Sequence, residues 1–441
     1  MDAPALTGTF ETDRERHAAF WAQIETTITA LPDKPMRTHA QTERVAELFD
    51  IAQVARARFL DRYVELIYDT ITDRLARFVR FDDILIQAAR IVPGLLPGSD
   101  ALSADAGKRL ADKEGWERQQ ALFLHHLLRR PKTSRHFYHM MLLPSQEAER
   151  LLPRYIAEKR ITLPGAKVET HGQTSVVTLK NTRFLNAEDN STLNGLEIAV
   201  DLALLCPDTQ LCVLRGAEIE SGKYAGRRVF GSGINLTRLY RGEIPYTWYI
   251  KREAGFVNKI YRGLAQASVF PDDASGETRE KPWLAQIDSF AIGGACQLLL
   301  VCDYIVASAN AYLSLPARKE GIIPGFANMR MWRFTGDRPA RRAIQSQAMY
   351  DCASEIGRTI CDEIVPADQT TAATQEAARS YLHSGTVSAV ANRRAFRLGQ
   401  ETPEQFCAYL AYYAKSQAEC HFSDQLISNL EEFWQAAERK E

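Results

Sequence analysis

At Leu163-Pro164-Gly165 the apolar pattern of this 441-residue chain changes period, and that change limits the fold more than any other feature. Before it, Leu48, Ala55, Phe59, Tyr63, Leu66, Leu75 and Phe78 recur at helical spacing with Arg, Asp and Glu between them. The Pro/Gly-rich piece Pro93 to Asp100 interrupts this region, and helical runs resume over Lys108–Arg130 and Ser145–Arg160. After it, β-branched and apolar runs at Ser175–Leu179, Gln210–Leu214, Leu284–Ile287, Tyr304–Ala307 and Tyr312–Ser314 read as strands. Helices at Ser191–Leu205 and Ala295–Cys302 alternate with them, and from Pro339 onward the chain is mostly helical. The expected fold class is α/β over residues 166–441, preceded by an all-α domain over residues 1–165. The polar stretch Pro271 to Lys281 is expected as an exposed loop.

Charge excludes several functions. Lys and Arg number 54 against 55 Asp and Glu, so no strong basic field exists to hold nucleic acid or anionic lipid. The longest apolar stretch, Leu284–Ala307, is broken by Gln286, Asp288, Gln297 and Asp303, and does not read as a membrane span. The first twenty residues lack a basic region followed by an apolar one, so no signal peptide and a cytoplasmic location are expected. Eight cysteines form no C-x-x-C pair and read as reduced, buried thiols. No metal set is expected: His136 and His139 have no carboxylate nearby in sequence, and His125 and His126 are adjacent, on different helix faces.

Two glycine-containing turns remain: Phe230-Gly231-Ser232-Gly233-Ile234-Asn235-Leu236, and Ala291-Ile292-Gly293-Gly294-Ala295-Cys296-Gln297-Leu298 between a strand and a helix. A strand–Gly-Gly–helix junction leaves backbone N–H groups unpaired at a helix start. Were both turns to face one point, those N–H groups would suit a thioester enolate. Taken singly, either is an ordinary turn.

The order NTRFLNAEDNSTL, FGSGINL, IDSFAIGGACQLLLVCDYIVAS, LSLPARKEGIIPG resembles the enoyl-CoA hydratase/isomerase (crotonase) superfamily, over roughly residues 166–370. The resemblance implies a ββα spiral core, trimers or hexamers, and acyl-CoA thioester substrates. It implies an oxyanion hole made by the N–H groups of Ile234 and Gly294, with Gly233, Asn235, Gly293 and Ala295 in the two turns binding the substrate and its CoA. Arg183, Lys223 and Tyr224 are expected at the CoA. Arg227 and Arg228 read as surface charge, and Tyr246, Trp248 and Tyr249 as core or subunit contact.

The departures from that pattern bear on the reaction. Hydratases of the superfamily carry glutamates where this chain has Gln297 and Ala317. Neither an amide nor a methyl group transfers a proton, so hydration and allylic isomerisation are not expected. The long helical extension, Gln297, Glu188 and Arg252 resemble a branch of the superfamily that oxidises an arylacetyl-CoA with molecular oxygen and without cofactor. That likeness implies roles for Glu188, Arg252 and Gln297 at the substrate ring or α-carbon, and for Ile322 as the wall of an O2 pocket. The competing expectations are a thioester hydrolase or lyase using the same hole, and a non-catalytic scaffold.

Overall fold

The computed structural model describes residues 2–438. Seven strands form one sheet in the order Arg160–Leu163, Gly165–His171, Thr174–Lys180, Leu211–Gly216, Trp283–Ile287, Tyr304–Ser308 and Glu363–Val365. The first three run antiparallel and the remaining pairings are parallel, with Val177 opposite Leu214 and Leu214 opposite Ala285. Strands buried on both faces need apolar runs rather than alternation. Thr174–Lys180 is buried except at its last residue, and Trp283–Ile287 is buried throughout. These are the strands the apolar runs mark most clearly.

A second sheet of three short strands joins Phe290–Ile292 in parallel with Tyr312–Ser314, and the latter antiparallel with Met349–Asp351. The helix Asn190–Leu205 covers the hairpin of the large sheet. It starts on a capping box: Asp189 Oδ1 accepts from Ser191 N at 2.9 Å, and Thr192 Oγ1 from Asp189 N at 3.0 Å.

The chain divides into two compact units. One holds the described residues up to Met141 together with Arg238–Thr247 and Pro403–Ser428. It is helical: the long helix His39–Thr72 buries Leu48, Phe59, Tyr63 and Ile67, and Arg118–Leu128 packs along Pro403–His421. The inserted Arg238–Thr247 segment is tied into it by Lys113 Nζ donating to Gly242 O at 2.6 Å and Tyr246 OH donating to Ala414 O at 2.6 Å. His136 and His139 are buried packing residues here. The His136 ring stacks on Phe78 at 4.7 Å, and burial pushes its pKa down to about 4. The Lys108–Arg130 run is not continuous: a 3-10 turn, Leu110–Asp112, precedes the helix at Arg118.

The other unit holds Leu142–Thr237, Trp248–Thr402 and the described residues from Asn429, including both sheets. Its Pro271–Lys281 stretch corrects the exposed-loop expectation. Asp273 is buried and accepts from Arg262 and Arg397, while Glu280 receives Arg394 and Arg397. The acidic residues that read as solvated are partners for buried arginines. All eight cysteines are free, and seven are buried. Among the described residues no helix is long and apolar enough to cross a membrane.

Candidate active site

Leu185 and Asn186 both take left-handed backbone, at φ 53° and 57°. The Asn186 side chain holds this turn, with Nδ2 donating to Ala217 O at 2.9 Å and Val229 O at 2.7 Å. Asparagine tolerates that conformation better than most residues. The turn delivers Glu188 alongside the first glycine segment, where Glu188 N donates to Gly233 O and Asn235 N to Glu188 O, both at 2.8 Å. Asn235 Nδ2 also donates to Asp189 Oδ2 at 3.0 Å, so Asn235 and Asp189 are structural clamps.

The two glycine turns lie against each other. Gly231 bridges to Ala291 and Ile292 N donates to Gly231 O at 3.0 Å. Gly233 has φ 80°, and a Cβ there would stand 2.8 Å from Ile292 O and 3.0 Å from Gly294 N. Only glycine allows that approach. Gly293 N donates to Ser314 O at 2.8 Å, which anchors the second turn. Gly294 opens the helix Gly294–Leu299, with Ala295 buried behind it. Among the described residues, the N–H groups of Ile234 and Gly294 donate to no protein acceptor.

Beside these turns is a buried charge cluster. The Arg252 Nε donates to Glu188 Oε2 at 2.8 Å and Nη2 to Glu188 Oε1 at 2.9 Å. Nη2 also donates to Gly294 O at 2.8 Å, and Nη1 to Gln297 Oε1 at 2.9 Å. Burial opposes the charge on Arg252, but Glu188 and Glu253 outweigh it and raise its pKa further. The bond from Nη1 fixes which end of the Gln297 amide is which: the carbonyl faces Arg252, leaving Nε2 as a donor.

Sequence reasoning missed Glu253. In a regular helix, adjacent residues do not face one another. Here the helix Thr247–Arg252 passes into a π turn over Glu253–Val257, with Gly255 at φ −87°, ψ −115°. That distortion swings the Glu253 carboxylate onto Arg252 Nη1. Burial raises the Glu253 pKa against the pull of Arg252, and its Oε2 is buried without a partner. Gly325 closes over the pair at φ 48°: a Cβ there would clash with Glu253 Oε1 and lie 2.6 Å from Gln297 Oε1.

A cavity of about 500 Å³ adjoins the Ser232–Asn235 turn, lined by Arg183, Tyr224, Ser232, Ile234, Glu320 and Trp434 among others. The Arg183 guanidinium lies over the Phe184 ring at 5.5 Å. Lys223 is exposed, with its ammonium over the Tyr224 ring at 5.5 Å. Ile322 is half-buried just after the helical turn Ala317–Glu320 and is outside that lining. The structure thus groups Ile234, Gly294, Gln297, Glu188 and Arg252 tightly, puts Arg183 and Tyr224 on the cavity wall, and leaves Lys223 at the surface. Among the described residues no three His, Cys, Asp or Glu side chains gather to hold a metal.

The mixed sheet, the paired glycine turns and the helix opening at Gly294 make up a crotonase-type fold. The enoyl-CoA hydratase/isomerase family model matches residues 175–431, and the chain belongs to that family. It is 39% identical over 420 residues, 95% of each chain, to the (3,5-dihydroxyphenyl)acetyl-CoA 1,2-dioxygenase of Amycolatopsis orientalis. It is 23% identical to the short-chain-enoyl-CoA hydratase of Clostridium acetobutylicum, over 57% of this chain and 88% of that one. An enoyl-CoA hydratase structure from Mycobacterium avium subsp. paratuberculosis K-10 shares the fold, with TM-score 0.50 and 18% identity over 61% of this chain and 98% of that one.

Proposed function

We propose that the protein is a metal- and flavin-independent dioxygenase that converts (3,5-dihydroxyphenyl)acetyl-CoA and O2 to (3,5-dihydroxyphenyl)glyoxylate and CoA. The observation that carries this is the site's make-up: two unpaired N–H groups on abutting glycine turns, with Gln297 and Ala317 where hydration needs carboxylates. Identity of 39% along nearly the whole chain to a protein named for that reaction supports it.

The thioester oxygen accepts from Ile234 N–H and Gly294 N–H. Loss of an α-proton leaves a carbanion delocalised into the thioester and the ring, and its charge collects on the oxygen in the hole. That electron-rich enolate reduces O2, and recombination forms a C–O bond at the α-carbon. The peroxide attacks the thioester carbon and expels CoA thiolate. Cleavage of the O–O bond, with loss of the remaining α-hydrogen as a proton, leaves a keto group beside a carboxylate. Both oxygen atoms are retained, and the two α-hydrogens end on CoA thiol and the acid. The substrate supplies the electrons a flavin or metal supplies elsewhere.

Around the ring, the Gln297 Nε2 donor and the second acceptor positions of the Glu188 carboxylate, held in place by Arg252, offer hydrogen bonds to the two phenolic hydroxyls. Arg183 pairs with CoA phosphate charge, Tyr224 and the exposed Lys223 beside it contact the CoA, and Ile322 contributes apolar surface for O2. The enzyme works as a trimer or hexamer. Oxygen uptake and free thiol, followed together with this substrate, test the reading. One O2 consumed per CoA released supports it; thiol release without O2 uptake identifies a hydrolase, and no release identifies a scaffold.

A further inference from the structure

We propose that Glu320 removes the α-proton. The proposal rests on the dioxygenase reading above for its substrate, and on the geometry of the cavity for its residue. The carboxylate missing at Ala317 is replaced one turn along the same helical segment. Ala317 and Glu320 begin and end the turn Ala317–Glu320, three residues apart and on one face. The turn is held by Glu320 N donating to Pro316 O at 3.0 Å and Gly321 N to Ala317 O at 2.9 Å.

Glu320 lines the same cavity as Ile234, whose N–H faces the thioester oxygen, and as Ser232, Ile292 and Pro316. Its side chain has no hydrogen-bond donor or ion-pair partner among the described residues. The other acids nearby are committed. Both Glu188 oxygens receive Arg252, Asp189 caps a helix, and the free Glu253 oxygen is buried and outside the lining of this cavity. The adjacent Lys319 does not neutralise Glu320, since its ammonium lies over the Phe433 ring at 4.9 Å.

Besides Glu320, the charged or titratable groups on the cavity wall are Lys319, Arg183, Tyr224 and Tyr312. Desolvation raises Glu320 to about 7, only partly opposed by Lys319, so near neutral pH it is a stronger base than an ordinary carboxylate. In the step, the α-C–H bond breaks and its proton goes to a Glu320 oxygen. The electron pair enters the C–C bond, and the carbonyl electrons move to the oxygen held by Ile234 and Gly294. Glu320 becomes a neutral acid and the enolate carries its former charge.

The test uses the full-length protein, Glu320→Gln and Glu320→Asp with (3,5-dihydroxyphenyl)acetyl-CoA. Deuterium uptake at the α-carbon is followed without oxygen in D2O, and O2 uptake is followed in air. Binding of a thioether analogue reports whether the site is intact. Glu320→Gln is expected to bind the analogue within about threefold of the parent, while exchange and O2 uptake both fall about 100-fold or more. Glu320→Asp is expected to keep a measurable part of both. In the parent, kcat/KM rises with pH through about 7, because the base must be ionised, and that step is absent from the residual rate of Glu320→Gln. Exchange and turnover by Glu320→Gln within about threefold of the parent would overturn the assignment. Parent protein that exchanges its α-hydrogen through Glu320 but takes up no oxygen would instead overturn the dioxygenase reading and leave the base in place.

Discussion

Arg252 holds Glu188 with two parallel bonds, 2.8 Å from Nε to Oε2 and 2.9 Å from Nη2 to Oε1, and both side chains are buried. The same Nη2 reaches Gly294 O at 2.8 Å, so the pair is coupled to the glycine that opens the helix Gly294–Leu299. Lysine cannot reproduce a planar fork. Arg252→Lys is therefore expected to lower the denaturation midpoint, since breaking a buried pair costs about 3–5 kcal/mol. Turnover should fall about 100-fold or more even under conditions where the variant is fully folded. Chemical denaturation and O2 uptake on one preparation check this.

Gly325 presses on both Glu253 and Gln297, and its backbone is left-handed. Gly325→Ala must displace the two oxygens that meet at Arg252 Nη1. The expected result is a loss in kcat far larger than any change in KM, because the wall of the cavity lined by Arg183 and Tyr224 is untouched. A steady-state series across substrate concentrations separates the two parameters.

Gln297→Glu would put a third carboxylate on Arg252, beside Glu188 and Glu253. With Ala317 still unable to transfer a proton, no hydration of crotonyl-CoA is expected from this variant, while oxygenation falls. The ultraviolet absorbance of the enoyl thioester reports hydration directly.

Glu320 also leaves a mark on stability. Its pKa in the folded protein, about 7, is above the ordinary value of 4.5, so its favourable contribution is present below pH 4.5 and is lost as pH rises through 7. Glu320→Gln should then be more stable than the parent at pH 8.5, by at most about 3 kcal/mol, and indistinguishable from it near pH 4. Urea midpoints at the two pH values check the sign.

Glu401 has the opposite sign. Burial disfavours its charge, but Arg330, Arg262 and Arg333 hold its pKa down to about 2. Its contribution is present above pH 4.5 and is lost as pH falls toward 2, amounting to about 3 kcal/mol. Glu401→Gln is expected to be less stable at pH 7 and to lose less on acidification, which thermal melts from pH 7 to 3 measure.

The fold was legible where burial on both faces forces an apolar run. The strands at Thr174–Lys180 and Trp283–Ile287 and the capped helix Asn190–Leu205 were all visible. Three-residue strands such as Phe290–Ile292 and Glu363–Val365 are too short to show a period. The mixed polarity of Gly165–His171 hid the hairpin. An amphipathic pattern names a buried face but not its partner, so nothing in the sequence said that Pro403–Ser428 joins the helical unit. At the site, the glycine turns, Glu188 and Gln297 lie within the ordered motifs, while Arg252 entered only through the likeness to the oxidising branch. Glu253 was hidden because a π turn, not helix periodicity, brings it to Arg252. Glu320 sits in the charged string Arg318-Lys319-Glu320, which reads as a solvated face.

The most direct measurement of the central claim is the ratio of oxygen consumed to CoA released by the purified protein acting on (3,5-dihydroxyphenyl)acetyl-CoA after exhaustive metal chelation. A bound enolate that itself reduces O2 predicts a one-to-one ratio at undiminished rate. Thiol release that continues unchanged in the absence of oxygen, or turnover that returns only with added iron, copper or flavin, would contradict it.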